Sequence, residues 1–203
     1  HRPDIAHIHG IAHELSPSIL DGLSSMRIPT IFTLHDYKIK CPNTNFISQD
    51  KVCEKCYGGK FYNVARYRCK RNNIFASILA GVEAYTHNLL KIYEKNVNCF
   101  ISPSKFLKNK MHNHGLRTKT VHIPNFINMD RFKPSEKEKK KYCVYLGRIE
   151  KIKGVLTLAK AINLTDKVNL IVAGRGEAEP LMRIELSQKK SNKIEFLGHI
   201  DTN

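Results

Sequence analysis

The chain has 203 residues, 41% of them hydrophobic and 26% charged, with a formal net charge of +16. A chain of that length buries about 70% of its unfolded surface, enough for a real core in one or two domains. No apolar run approaches the roughly 20 residues of a membrane-spanning helix, and His1 to Asp4 does not open a signal peptide. The surplus of cations favours anionic partners: nucleic acid, phospholipid head groups or phosphorylated substrates.

Asp4 to His9 reads as a buried parallel strand, followed by a helix that Ser16 and Pro17 open and that runs to about Met26. Ile28 to Leu34 is a second strand, so the chain begins with a βαβ unit and a right-handed crossover. His35 to Asn73 is turn-rich, without sustained periodicity. Asn73 to Asn96 is expected as one long helix, because Ile74, Ile78, Val82, Tyr85, Leu89 and Ile92 recur at helical spacing; that stripe is read as core. Val97 to Ser102 is a third strand. Ser102 and Pro103 cap a helix holding Phe106, Leu107 and Met111 and ending near Gly115, and Lys119 to Ile123 is a fourth strand.

Lys133 to Lys141 is a charged run with the character of a solvated linker, and the domain boundary is placed there. Beyond it come a strand over 142–146, a helix over 154–163, a strand over 168–173, a helix over 179–190 opened by Pro180, and a strand over 194–197. Strands alternating with helices in both halves predict two α/β units with mostly parallel sheets. Cys99 and Cys143 fall inside apolar strand patterns and are expected as small buried hydrophobes.

The segment from Tyr145 to Gly154 carries the clearest chemical signal. A strand turning through Gly147 into a helix that starts near Gly154 aims free backbone N–H groups beyond the sheet edge. Arg148 and Lys153 add two cations to that positive end, a setting that suits a phosphate or diphosphate. The alternative is an ordinary strand-turn-helix with two solvated basic side chains. Ligands of open α/β sheets collect beyond the carboxyl ends of the strands. His9 and Gly10 follow the first strand, His35 and Asp36 the second, Ser102 the third and Asn125 the fourth. Gly147, Arg148, Gly174, Arg175 and Gly176 hold the same edge in the second unit.

Gly147 and Arg148 followed by Lys153 and Gly154 resemble the donor-site signature of the retaining GT-B glycosyltransferases of glycosyltransferase family 4. Leu170 to Glu177 resembles the family's next strand and glycine turn, and Ile123 to Phe132 the segment before its interdomain crossover. The resemblance covers nearly the whole chain, as an internal fragment of a longer protein. It implies an α/β fold of the GT-B type, two Rossmann-like α/β/α units facing a cleft and both incomplete. Residues 1–135 would be a partial N-terminal acceptor-side domain with a Cys-rich insertion at 36–73, and residues 142–203 a partial C-terminal nucleotide-sugar donor-binding domain.

The implied reaction moves a sugar from a nucleoside-diphosphate donor to a saccharide or lipid-linked saccharide acceptor with retention of anomeric configuration. The implied setting is synthesis of cell-surface polysaccharide or glycoconjugate. By resemblance, His35 lies by the sugar as the catalytic residue, and Arg148 and Lys153, framed by Gly147 and Gly154, hold the donor's diphosphate. The turn of Gly174 and Gly176 runs close to the nucleotide, and His9, Gly10, Asp36 and Asn125 stand on the acceptor side. The family usually has Asn-Gly-Val-Asp where this chain has Phe126 and Asn128 in place of the Gly and the last Asp, which weakens a role for Asn128. No Asp or Glu stands out as a nucleophile, and fixed cations can replace a divalent metal, so no catalytic cofactor is expected. The family's glycine-rich loop and paired-glutamate motif would lie before His1 and beyond Asn203, so these residues alone are expected not to turn over. The implied location is the cytoplasm, and peripheral contact with the inner face of an anionic membrane is compatible with it.

Cys41, Cys53, Cys56 and Cys69 follow the spacing Cys-x11-Cys-x2-Cys-x12-Cys, which can supply a tetrahedral all-thiolate site suited to structural zinc. Disulfide pairing, an iron–sulfur cluster and free thiols are the alternatives. Residues 36–75 carry nine Lys/Arg against three acids, a net of +6. That basic loop supports a second reading, a metal-stapled nucleic-acid-binding module with Tyr57, Phe61, Tyr62 and Tyr67 between the cations. Nucleic acid is not an expected partner under the transferase reading.

Overall fold

The computed structural model describes residues 3–11, 15–130, 132, 142–165, 168–188 and 193–200. The chain divides into two compact units, His1–Arg131 and Phe132–Asn203. The charged run 133–141, read above as a linker, lies outside the described residues.

The first unit contains β1 (Ala6–His9), α1 (Ile19–Ser25), β2 (Thr30–Thr33), a small hairpin of β3 (Ile47–Ser48) and β4 (Lys51–Val52), and α2 (Asn63–Arg66). It continues through α3 (Ile74–Leu90), α4 (Ile92–Asn96), β5 (Cys99–Ser102), α5 (Lys105–Asn113) and β6 (Thr120–His122). Its main sheet is parallel throughout, in the order β1-β2-β5-β6. Phe32 and Phe100 form the centre of the core, with Leu20, Leu34, Met111 and Leu116 closing around them and Tyr93 edge-on to Phe32.

The helix expected over 73–96 is in fact two. Asn73 opens α3 by accepting the Ala76 N–H on its side chain at 3.0 Å. Lys91, in the left-handed region at φ 52°, then breaks the run before α4. The kink turns Ile92 and Tyr93 into the core, whereas Ile74, Ile78, Val82, Tyr85 and Leu89, expected as core, face outward. The buried side of α3 is its small side, Ser77, Ala80 and Gly81. A Cβ on Gly81 would stand 3.1 Å from the Val64 side chain, so the small residues are what allow the approach to α2. The cap of α5 also differs: Ser104, not Ser102, accepts the Leu107 N–H, at 3.1 Å. Ser102 ends β5, and its hydroxyl donates to the Ser104 carbonyl.

The second unit runs β7 (Tyr142–Leu146), a 3-10 turn at Lys151–Lys153, α6 (Val155–Asn163), β8 (Asn169–Ala173), α7 (Glu179–Leu186) and β9 (Ile194–Gly198). Its parallel sheet has the order β7-β8-β9, and α7 stops short of the expected residue 190. Ile149, Val155, Leu170, Val172, Ala178 and Met182 are fully buried in its core. Against the expectation for both, Cys99 is half-buried, and Cys143 is exposed because β7 is an edge strand whose residues are mostly exposed. Among the described residues no helix is long and apolar enough to cross a membrane.

Candidate functional site

In the second unit the carboxyl ends of β7 and β8 run on as two loops that hydrogen-bond to each other. The Gly147 N–H donates to the Ala173 carbonyl (3.0 Å), the Ile149 N–H to the Arg175 carbonyl (3.0 Å) and the Ala178 N–H to the Ile149 carbonyl (2.9 Å). A Cβ on Gly174 would come closer than 3.0 Å to the Gly147 carbonyl, and one on Gly176 closer than 3.0 Å to that of Ile149. These glycines therefore serve a contact internal to the fold, loop backbone against loop backbone.

Ile149 and Val155, both fully buried, anchor the loop on either side of the 3-10 turn. Arg148 is left outside, its side chain 73% exposed and paired with Glu150 at 2.9 Å. An exposed pair of this kind contributes about 0–1 kcal/mol, little enough for a doubly charged diphosphate to displace. The Tyr145 hydroxyl donates to the Arg148 carbonyl at 2.7 Å and holds the backbone beneath that guanidinium. Lys153 ends the 3-10 turn, and Gly154, left-handed at φ 73°, caps α6, whose first N–H groups have no partner inside the helix. Gly147, Arg148, Gly174 and Gly176 are thus brought to one sheet edge, and Lys153 and Gly154 stand at the helix start. Glu150 and Tyr145 were not expected at this site, because local pattern does not show that one pairs with the Arg148 side chain and the other with its carbonyl.

In the first unit, β1 and β2 pair with His9 opposite Thr33. His9 Nδ1 lies 2.8 Å from His35 Nε2, and His7 Nε2 lies 2.8 Å from the Thr33 hydroxyl. The rings of His7 and His9 stand 4.4 Å apart. His9 is exposed, yet slight desolvation by the atoms around it, and then the neighbouring His7 and His35, hold its imidazole below the ordinary value. Next to the pair, Gly10, Ile11, Leu34, His35, Asp36 and Tyr93 border a hollow of about 30 Å³. The Asp36 carboxylate accepts the Lys38 N–H at 2.8 Å, and the Lys38 ammonium pairs with Glu83. Asn125 is exposed and follows β6, at the opposite edge of the sheet from β1 and His9. Ser102 is fully buried and committed to Ser104.

The four cysteines of the 36–73 loop all border one cavity of about 10 Å³, together with Phe46, Ile47 and Val64. All are free thiols, and the Cys69 sulfur donates to Ser48 Oγ at 3.4 Å. Burial pushes Cys41 up, although the backbone N–H groups of Phe46, Asn43 and Asn45 bond to its sulfur; burial raises Cys56 to about 12. Among the described residues no three His, Cys, Asp or Glu side chains stand in a ready metal-holding arrangement. The loop is pinned to α5 by Glu54, which accepts from Lys110 and from the buried His114. It is pinned to α4 by Lys40, 8% exposed, paired with Glu94 at 2.9 Å.

Two α/β units with parallel sheets make this a protein of the GT-B type. The family model described as Glycosyltransferase Family 4 matches residues 1–131, and the one described as Glycosyl transferases group 1 matches residues 126–203. The chain belongs to glycosyltransferase family 4. Among curated proteins none matches it. Two solved structures of similar fold are both Anabaena Alr3699/HepE, one in complex with UDP and one with UDP and glucose. The first is 14% identical with a TM-score of 0.57, the second 15% identical with a TM-score of 0.51. In each case 96% of this chain and 48% of the other is covered, so the chain spans about half the length of the structures it matches.

Proposed function

We propose that the chain supplies both substrate-facing parts of a nucleotide-sugar-dependent glycosyltransferase that retains anomeric configuration and builds cell-surface polysaccharide or glycoconjugate. The second unit takes the donor: Arg148 and Lys153, with the first N–H groups of α6, receive its diphosphate. The first unit takes the acceptor side, with His35 beside the reacting sugar, Asp36 and Gly10 around it, and Asn125 at the end of β6. The observation that carries this reading is the interlock of the two glycine loops. It costs Gly174 and Gly176 any side chain and leaves Arg148 outward on a fixed backbone. That Alr3699/HepE has been solved with UDP, and with UDP and glucose, supports the choice of donor class.

The chemical demand is departure of a nucleoside diphosphate, and cations placed in advance stabilise the charge it gains. Removing one such donor from a transition state costs about 3–4 kcal/mol. Losing one charge-assisted contact from a bound ground state costs about 1.5–3 kcal/mol. The test is titration of the chain with UDP-, GDP- and ADP-sugars by calorimetry. One of them binds, and Arg148→Ala and Lys153→Ala each weaken it by about 10-fold or more. Binding unchanged in both variants, or no binding to any donor, sinks the assignment.

A peripheral membrane contact has its own support. Phe75, Leu79 and Leu89 on α3 are 79%, 70% and 81% exposed, Ile78 and Val82 lie between them, and Lys70 and Arg71 precede the helix. An apolar stripe with cations at its start suits an anionic bilayer surface, where a lipid-linked acceptor would be met. Co-sedimentation with phosphatidylglycerol vesicles, lost in Phe75→Ser/Leu79→Ser, is the expected result; equal pelleting of both proteins would remove α3 from that role.

A further inference from the structure

We propose that Cys41, Cys53, Cys56 and Cys69 form a structural zinc site that staples the loop between β2 and α3. Four thiols come from four separate places: the turn after β2, the end of the β3–β4 hairpin, the start of a 3-10 turn, and the turn that follows α2. All four border the same cavity, whose volume of about 10 Å³ is that of one water-sized sphere. Its other walls include Phe46, Ile47 and Val64, which offer no competing ligand and keep water out. The sulfurs do not yet stand at coordinating positions. Each cysteine has one heavy-atom torsion, and rotation about it moves a sulfur across a hollow this small.

The loop needs such a staple. Its strands are two residues each, and Thr44, Phe46, Gln49, Asp50, Arg68, Arg71 and Asn72 all hold positive φ without being glycine. Conformations of that kind cost free energy and persist only where the surroundings over-determine them. A closed all-thiolate site provides that constraint, and zinc suits it because the ion imposes no geometry of its own beyond the tetrahedron. On binding, one Zn²⁺ takes the place of four thiol protons and leaves a centre of net charge −2, within a segment of nine Lys/Arg and three acids.

The site reaches the candidate acceptor pocket through one aromatic contact and the chain next to it. Phe46 borders the thiol cavity and packs, tilted by 49°, against Tyr37 with ring centroids 4.7 Å apart. Tyr37 lies between Asp36 and Lys38, both of which border the hollow beside His35. Asn43, Ile47 and Cys69 also line a larger polar hollow of about 450 Å³. Loss of zinc would therefore loosen walls of both. This inference is independent of the donor assignment, since all four ligands lie in the first unit.

The test is metal analysis of the whole chain, untagged and purified without chelator. One zinc per chain is expected, released when a mercurial titrates the thiols. Cys53→Ser and Cys56→Ser should lose the metal and melt at lower temperature, whereas Cys143→Ser keeps it. Should the loop variants fail to fold, the stoichiometry and mercurial release of the unaltered chain decide the matter. Two disulfides by mass spectrometry, iron in place of zinc, metal-free protein with alkylatable thiols, or zinc retained in both variants each overturn the proposal.

Discussion

His9 and His35, 26 residues apart, share a 2.8 Å hydrogen bond between ring nitrogens at the carboxyl ends of two adjacent parallel strands. Such a bond requires one ring to donate and the other to accept, so it fails once both are protonated. Slight desolvation and the neighbouring imidazoles already hold His9 below its ordinary value. The unfolded chain then binds the proton more readily than the folded one. Stability is lost as the pH falls from about 6.5 through the lowered folded value. Two-dimensional NMR of labelled imidazoles should show His9 titrating below the ordinary histidine value of about 6.5. The urea midpoint should fall with acid over that range, and this slope should flatten in His9→Ala.

Gly174→Ala and Gly176→Ala place a Cβ against the backbone of residues 147–149. Neither carbonyl can move without breaking the loop ladder, so each substitution should destabilise the second unit by about 3 kcal/mol or more. Gly22→Ala is the contrast. It lies in α1 with open space around it, and should stabilise by about 0.5–1 kcal/mol. Urea unfolding of the three variants checks both directions.

Lys40 and Glu94 form the most shielded of the ion pairs that hold the loop, with side chains 10% and 25% exposed. Removing the acid in Glu94→Ala strands a cation in a poorly solvated place, at a cost of about 3 kcal/mol. The double variant Lys40→Met/Glu94→Leu should recover much of that loss, because no unpaired charge is left. Thermal melts of the single and double variants measure the difference.

Glu54 is held below the usual carboxylate range, first by the hydrogen bond from Lys110 and then by that from His114. Its contribution is present above the ordinary glutamate value of about 4.3 and is lost as the pH falls through the lowered folded value. Because the carboxylate is 44% exposed, solvent screens it, and Glu54→Gln should cost only about 1 kcal/mol at neutral pH. Acid titration of the variant should show a shallower loss of stability in that window.

The alternation of strands and helices was legible from residue pattern alone, since a strand's period of two and a helix's of 3.6 are written in neighbouring residues. So was the edge where Gly147, Arg148, Gly174 and Gly176 meet, because parallel strands deliver their ends to one side. Local pattern does not record which of two apolar faces a helix buries. On α3 the bulky stripe looked like core, yet close approach to α2 needs the small side, Ser77, Ala80 and Gly81, and the stripe is left outside. Nor does it record contacts made across dozens of positions. The His9–His35 bond, the grip of Glu54 on His114 and the single cavity shared by four cysteines depend on how distant segments are brought together, which only packing in three dimensions decides.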